Sequence, residues 1–254
     1  MNVFKADMFY MLRDKTIRVL LILSALLPIT SALIAWKFSG KIGIRLETMA
    51  FQSIGADIMG ALLGVGMSNF FGHDFVNNTI RNKVCYGESR TKITLLSFVE
   101  SFIITAGMIL TTLLFSLISS LFSGNTELSE SFWTKYICQA GILFAFAFVI
   151  TALTLCTKNS KPGIFTTIIM TIFVSAAAQL FPKLASIADW ARVVSRSLYM
   201  TVSNMMMNSV DGTYTAMEGV VYDRLYLNSL LIFVVYSILS VSISLIVVNK
   251  QSYK

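Results

Sequence analysis

Apolar residues run in long blocks along this chain, at 19–36, 51–72, 93–122, 133–156, 163–181 and 225–248, and nearly every charge falls between the blocks. A hydrocarbon layer about 30 Å thick asks for about 20 helical residues per crossing, so each block predicts a transmembrane helix within boundary error. A lone strand in lipid would leave its backbone N–H and C=O groups unpaired, and the blocks are about twice the ten-residue alternating segments of an outer-membrane barrel. The expected fold class is therefore an all-α membrane protein of one domain, residues 1–254, with six transmembrane helices. The first block has no cleavage site after it and five more blocks follow, which predicts an anchor and not a removable signal peptide.

Three shorter segments carry patterns of their own. In residues 1–17, Phe4, Met8, Met11 and Leu12 recur at helical spacing with Lys5, Arg13 and Asp14 on other faces, which predicts an amphipathic interface helix running into the first span. Between the second and third spans, Val76, Ile80 and Val84 lie four apart with Phe75 beside them, while Asn77, Asn78, Arg81 and Asn82 face elsewhere. That spacing predicts an amphipathic helix of about two to three turns that Gly87 would stop. In residues 182–224, Leu184, Ile187, Ala191, Val194 and Leu198 form a stripe that Asp189, Arg192 and Arg196 avoid, which predicts a helix resting on or dipping into the leaflet. Asp211-Gly212 predicts a turn, and Met205, Met206 and Met207 an adaptable apolar patch in contact with lipid or, as the lesser reading, at a substrate exit.

Composition agrees with the blocks. The chain is 56% hydrophobic and 13% charged, with a mean hydropathy of +0.73, against about 25% charged residues in a soluble domain. Six crossings leave no room for a soluble catalytic domain. With both termini on one side, the loops of that side hold twelve basic and four acidic residues, and the opposite loops eight basic and seven acidic. The positive-inside rule then predicts cytoplasmic termini, and the basic pI reflects topology and not nucleic-acid binding. Cys85 falls in a predicted cytoplasmic loop and Cys138 and Cys156 in or beside the fourth span, so no disulfide is expected.

Polar and small residues inside the blocks are the next candidates. Glu100 in the third span and Asp57 in the second are carboxylates that cost about 2.5–3.5 kcal/mol at mid-helix, so each is expected to face protein or a wet cavity, or else to snorkel. A translocation path or an ion pair between subunits is the functional reading. Ala56, Gly60 and Gly64 form a small-residue stripe that permits close helix approach, within one subunit or against a second copy.

Enzymatic chemistry finds little footing. Ser39-Gly40-Lys41-Ile42 lacks the upstream glycine and following Ser/Thr of a nucleotide-binding loop, so the chain is not expected to hydrolyse ATP. His73 is the one histidine, with no buried nucleophile in reach and no partners for a metal, and reads as an interfacial polar residue. No catalytic, cofactor or metal site is expected.

The order of amphipathic helix, two spans, a loop reading Asp74, then Thr79-Ile80-Arg81-Asn82-Lys83, then Gly87-x-Ser89-Arg90, and four further spans resembles the membrane subunit of an ABC transporter of the type-2 exporter class. The resemblance covers the whole topology, but its sequence-specific part is residues 74–92. It implies that this loop is a cytoplasmic coupling helix docking on an ATPase subunit through Asp74, Phe75, Asn78, Thr79, Ile80, Arg81, Lys83, Gly87, Ser89 and Arg90. It further implies a permease of the bacterial cytoplasmic membrane that pairs with a second copy or a related permease, with ATP and Mg bound by the partner ATPase. The cargo classes implied are peptide, lantibiotic, drug or lipid-like. A non-transporting assembly or sensor protein, and an ion-coupled carrier using Glu100 and Asp57, are the other classes the residues admit.

Overall fold

The computed structural model describes residues 3–39, 58–77, 79–123, 130–169, 189–207, 212–215 and 221–250, with isolated positions 180, 184 and 209. In chain order the elements are α1 (Val3–Arg13), α2 (Lys15–Ser39), α3 (Ile58–Val76), α4 (Thr79–Cys85), α5 (Arg90–Ser123), α6 (Phe132–Thr157), α7 (160–169), α8 (Asp189–Ser197), α9 (Tyr199–Met207), β1 (Tyr214–Thr215), β2 (Val221–Tyr222) and α10 (Leu225–Lys250). Four of them, within α2, α5, α6 and α10, are long and apolar enough to cross a membrane. The described parts of the predicted second and fifth spans are α3 and α7; the rest of both, with Asp57, Gly55 and Ala56, lies outside the described residues, as do Asn78, 182–183 and Ile187.

At the centre stands α6. It packs most extensively along α10 and also against α3, α5 and α9, while α2 lies along α5 and α3. Its buried face runs through Tyr136, Ile142, Leu143, Phe146, Ala147 and Ile150 and meets Met59, Leu63, Met67 and Phe71 of α3. The outer sides of α5 and α10 carry exposed Leu, Ile and Val, as lipid-facing helices do. Buried hydroxyls on α5 satisfy themselves by bonding back one turn, Thr105 to Ser101 O at 2.8 Å, Thr112 to Met108 O at 2.8 Å and Ser116 to Thr112 O at 2.8 Å.

The glycine stripe closes contacts inside this chain. A Cβ on Gly64 would strike Oγ1 of Thr167 on α7, and one on Gly66 would strike Leu20 of α2. Gly60 sits more loosely, its Cβ position 3.7 Å from Phe146 Cε1. Of the two expectations for the stripe, packing within the subunit accounts for Gly64.

Four expectations need correction. The helix of the second span does not end at Gly72 but continues to Val76, where Asn77 N donates to His73 O at 2.9 Å. Val76 therefore belongs to α3 and is 77% exposed, and the amphipathic helix shortens to the seven residues of α4. Nothing in His73–Val76 breaks a helix, whereas Asn77 offers the side-chain competition that does. On α1 the inward face is Asp7, Met8 and Met11, with Leu12 64% exposed, so the apolar stripe is rotated from the predicted one. In the segment after 182, the helix breaks at Leu198 between α8 and α9, and of the predicted stripe Ala191 is buried and Val194 half-buried, with Ser195 and Val202 also facing inward. Met205 and Met206 are buried with Tyr222 and Leu225 and do not form a lipid-facing patch, because a small antiparallel hairpin folds over them. That hairpin pairs Tyr214 with Tyr222 and Thr215 with Val221 and follows the Gly212 turn, at φ +78°.

The same end of the molecule holds a buried polar seam. Lys135 Nζ donates to Ser209 O at 2.7 Å and Gln139 Nε2 to Ser203 Oγ, which fastens α9 to α6.

Candidate functional site

The loop between α3 and α5 is a built element and not a slack connector. Its helix α4 ends in a glycine-capped turn: Gly87 has φ +89°, Gly87 N donates to Val84 O at 3.0 Å and Glu88 N to Lys83 O at 3.2 Å. This is the paired 5→2 and 6→1 arrangement that satisfies the last carbonyls of a helix and needs a left-handed residue. The next helix starts at once, with Lys92 N bonded to Ser89 Oγ at 3.3 Å and Lys92 paired with Glu88 at 2.7 Å.

The predicted coupling residues divide between two faces. Ile80 of α4 is buried at 4% exposure, and Phe75, at the end of α3, packs against Phe98, Ala152, Leu155 and Val248 and so holds that end to α5, α6 and α10. Arg90 Nη1 donates to Asn249 O at 3.2 Å, which ties the start of α5 to the end of α10. Thr79 is half-buried. Arg81, Gly87 and Ser89 are exposed, together with Asn82 and Cys85.

Asp74 and Lys83 turn inward and meet α1. Lys83 Nζ lies 2.8 Å from Asp7 Oδ1, both side chains mostly buried, so an ion pair joins α1 to α4. Asp74 is 7% exposed and Glu100 of α5 4% exposed, and Asp7, Lys83 and Asp74 all act electrostatically on Glu100. Glu100 thus faces protein and does not snorkel. Oxygens Asp7 Oδ2 and Asp74 Oδ1 are buried without a hydrogen-bond partner. Asp74 lies beyond the apolar stretch that ends at Gly72, and its carboxyl is raised from the ordinary 3.8 to about 6, by burial first; Lys83 opposes the rise and Asp7 and Asp14 add to it. Burial, with Asp74 and Asp14 nearby, also raises the Tyr10 phenol.

Asp14 sets the joint between α1 and α2. Its Oδ1 accepts from Thr16 N at 2.7 Å and Ile17 N at 3.3 Å, the N-cap pattern, so the chain bends there instead of running on as one helix. That bend lays α1 beside α5, where Asp7 reaches Lys83.

Two functional candidates escaped the sequence reading. Tyr86 is 89% exposed at the tip of the loop, beside Arg81 and Cys85. It lies off the Val76–Ile80–Val84 stripe and directly before the stopping glycine, which was the available signal. Asp7 sits four residues before the buried Met11 and so shares its inward face. Among the described residues, no three His, Cys, Asp or Glu side chains are placed to hold a metal ion.

The class that fold and site define is a helical membrane protein with an anchored, surface-presented helix at one end of its bundle. Neither protein-family profiles nor curated protein sequences give a match to this chain.

Proposed function

We propose that the protein is the permease subunit of an ATP-driven exporter of the bacterial cytoplasmic membrane, with α4 and the Tyr86–Ser89 turn as the element a separate ATPase grips. The observation that carries this reading is the two-sidedness of α4: Ile80 and Lys83 clamp it to the bundle while Arg81, Asn82 and Tyr86 project outward. Exposed Tyr and Arg are the side chains that most often dominate protein interfaces. Force applied to that face passes through the clamp into α1, α3 and α5, and nucleotide-driven closure of paired ATPases would shift the bundle between inward-open and outward-open states. A second permease copy or a related permease completes the translocation path. The cargo is a peptide, lantibiotic, drug or lipid-like molecule.

Co-purification tests it. An ATPase should be recovered with the wild type and lost with Arg81→Glu or Gly87→Pro; equal recovery from all three rejects the loop as the docking element. The burial of Glu100 beside Asp74 favours one other reading, an ion-coupled carrier. Proton-driven uptake into vesicles without ATP, lost with Glu100→Gln, would establish that reading against the first.

A further inference from the structure

At the junction of α1, α3, α4 and α5, the Asp7–Lys83 ion pair lies within the electrostatic reach of two further buried carboxylates, Asp74 and Glu100. Asp7 holds Lys83 at 2.8 Å, Asp74 is 7% exposed with one oxygen unpartnered, and Glu100 is 4% exposed. A buried carboxylate oxygen without a donor is costly, and groups in this position relieve the cost by taking up a proton. A proton is the ligand that a single buried, unpartnered carboxylate oxygen takes up most readily.

We propose that Asp74 is a proton-operated latch: its protonation leaves Lys83 wholly to Asp7 and locks α1 onto α4, and its ionisation loosens that joint. The step is the addition of one proton from water to the Asp74 carboxylate, with no other bond made or broken. When Asp74 is charged it attracts the Lys83 ammonium away from Asp7 and repels Asp7 through the low-dielectric interior. When it is neutral both effects vanish.

The groups that act on Asp74 are Lys83 of α4, Asp7 of α1, Asp14 at the α1–α2 joint and His73 on α3 itself. Tyr10 of α1 is also within its field. The other charged side chains on neighbouring elements are Arg13 of α1, Lys15, Arg18 and Lys37 of α2, Arg81 of α4, Arg90, Lys92 and Glu100 of α5, Lys158 before α7 and Lys161 on it. Only Lys83 and His73 among the acting groups favour the charged form, and burial outweighs both, so the transition falls at about pH 6. Asp74 would therefore change charge within the range a cell experiences. The inference stands whether or not an ATPase meets α4.

Spin labels test it on the purified protein alone in lipid nanodiscs. One label goes on native Cys85, which is exposed, and one on Leu12→Cys, at a position 64% exposed, with Cys138 and Cys156 replaced by alanine. The wild-type distance distribution should be narrow at pH 5 and broad at pH 8. Asp74→Asn, which mimics the neutral acid, should stay narrow at both pH values, and Asp7→Asn should be broad at both. Lys83→Gln probes the same pair should Asp7→Asn fail to fold. A wild-type distribution that does not change with pH, an Asp74→Asn variant that follows the wild-type curve, or a pair variant still narrow at pH 5 would each overturn the proposal.

Discussion

Replacing Gly64 by alanine adds one methyl group to the face of α3 that meets α7. The new Cβ would strike Thr167 Oγ1 and lie 2.6 Å from its Cγ2 and 2.9 Å from its Cβ. Threonine is stiff about χ1, and here its hydroxyl is tied to Gly163 O at 2.8 Å. Its Cβ cannot swing aside, so the two backbones must separate. Overpacking of this kind costs about 1–3 kcal/mol, and the better helix propensity of alanine returns about 1 kcal/mol. The expected net loss is therefore up to about 2 kcal/mol. Gly60 is the control one turn earlier: its added Cβ would sit 3.7 Å from Phe146 Cε1, an ordinary contact. Gly60→Ala should therefore be neutral or stabilise by up to about 1 kcal/mol. Thermal unfolding in detergent, followed by the surviving monodisperse fraction, reads both. Adding Thr167→Ala to Gly64→Ala should recover part of the loss. Equal melting of the two glycine variants, or a Gly64→Ala protein more stable than wild type, would refute the packing described for α3 and α7.

Other consequences are simpler. Because the folded protein holds the Asp74 proton more tightly than the unfolded chain does, this group's contribution is present below about pH 4 and is lost as pH rises through about 6, roughly 3 kcal/mol in all. Melting curves from pH 4 to 8 should show that decline, and Asp74→Asn should flatten it and unfold later than wild type at pH 8. At Gly87 an added Cβ meets nothing within 4 Å, so only the positive φ opposes substitution. Gly87→Asn should then cost less than Gly87→Val, and helix-end proteolysis after Cys85 would rank them; the reverse order would contradict a left-handed cap. Tyr222→Phe removes the 3.1 Å bond to Ser195 Oγ in a fully buried site and should cost about 1 kcal/mol. Asp223→Asn breaks only the partly exposed pair with Arg196 and should cost less than about 1 kcal/mol, and thermal unfolding separates the two.

What the sequence made legible was what repeats locally. The apolar blocks predicted α2, α5, α6 and α10 with ends off by a few residues, because charged flanks mark where lipid stops. Gly87 was readable as a stop because a left-handed cap almost demands glycine. The rotation of α1 was not readable: Leu12 fits the apolar stripe better than Asp7, and only the partner Lys83, far along the chain, explains why Asp7 turns inward. The hairpin over Met205 and Met206 has strands of two residues, too short for alternation to register. Thr167 opposite Gly64 is likewise a fact of helix pairing, which small residues permit but do not specify. Of the residues predicted for coupling, the motif named the segment, while burial alone separates Arg81, Gly87 and Ser89 at the surface from Asp74, Phe75, Ile80 and Lys83 beneath it.

The reading as a permease requires the 74–92 segment to face the compartment where ATP is found. Cys85 is exposed on that segment, and Cys138 and Cys156 can be replaced by alanine to leave it the sole thiol. A membrane-impermeant maleimide applied to intact cells and to inverted vesicles decides the matter. Labelling of Cys85 in inverted vesicles and not in intact cells is the predicted result, and labelling in intact cells would contradict the account.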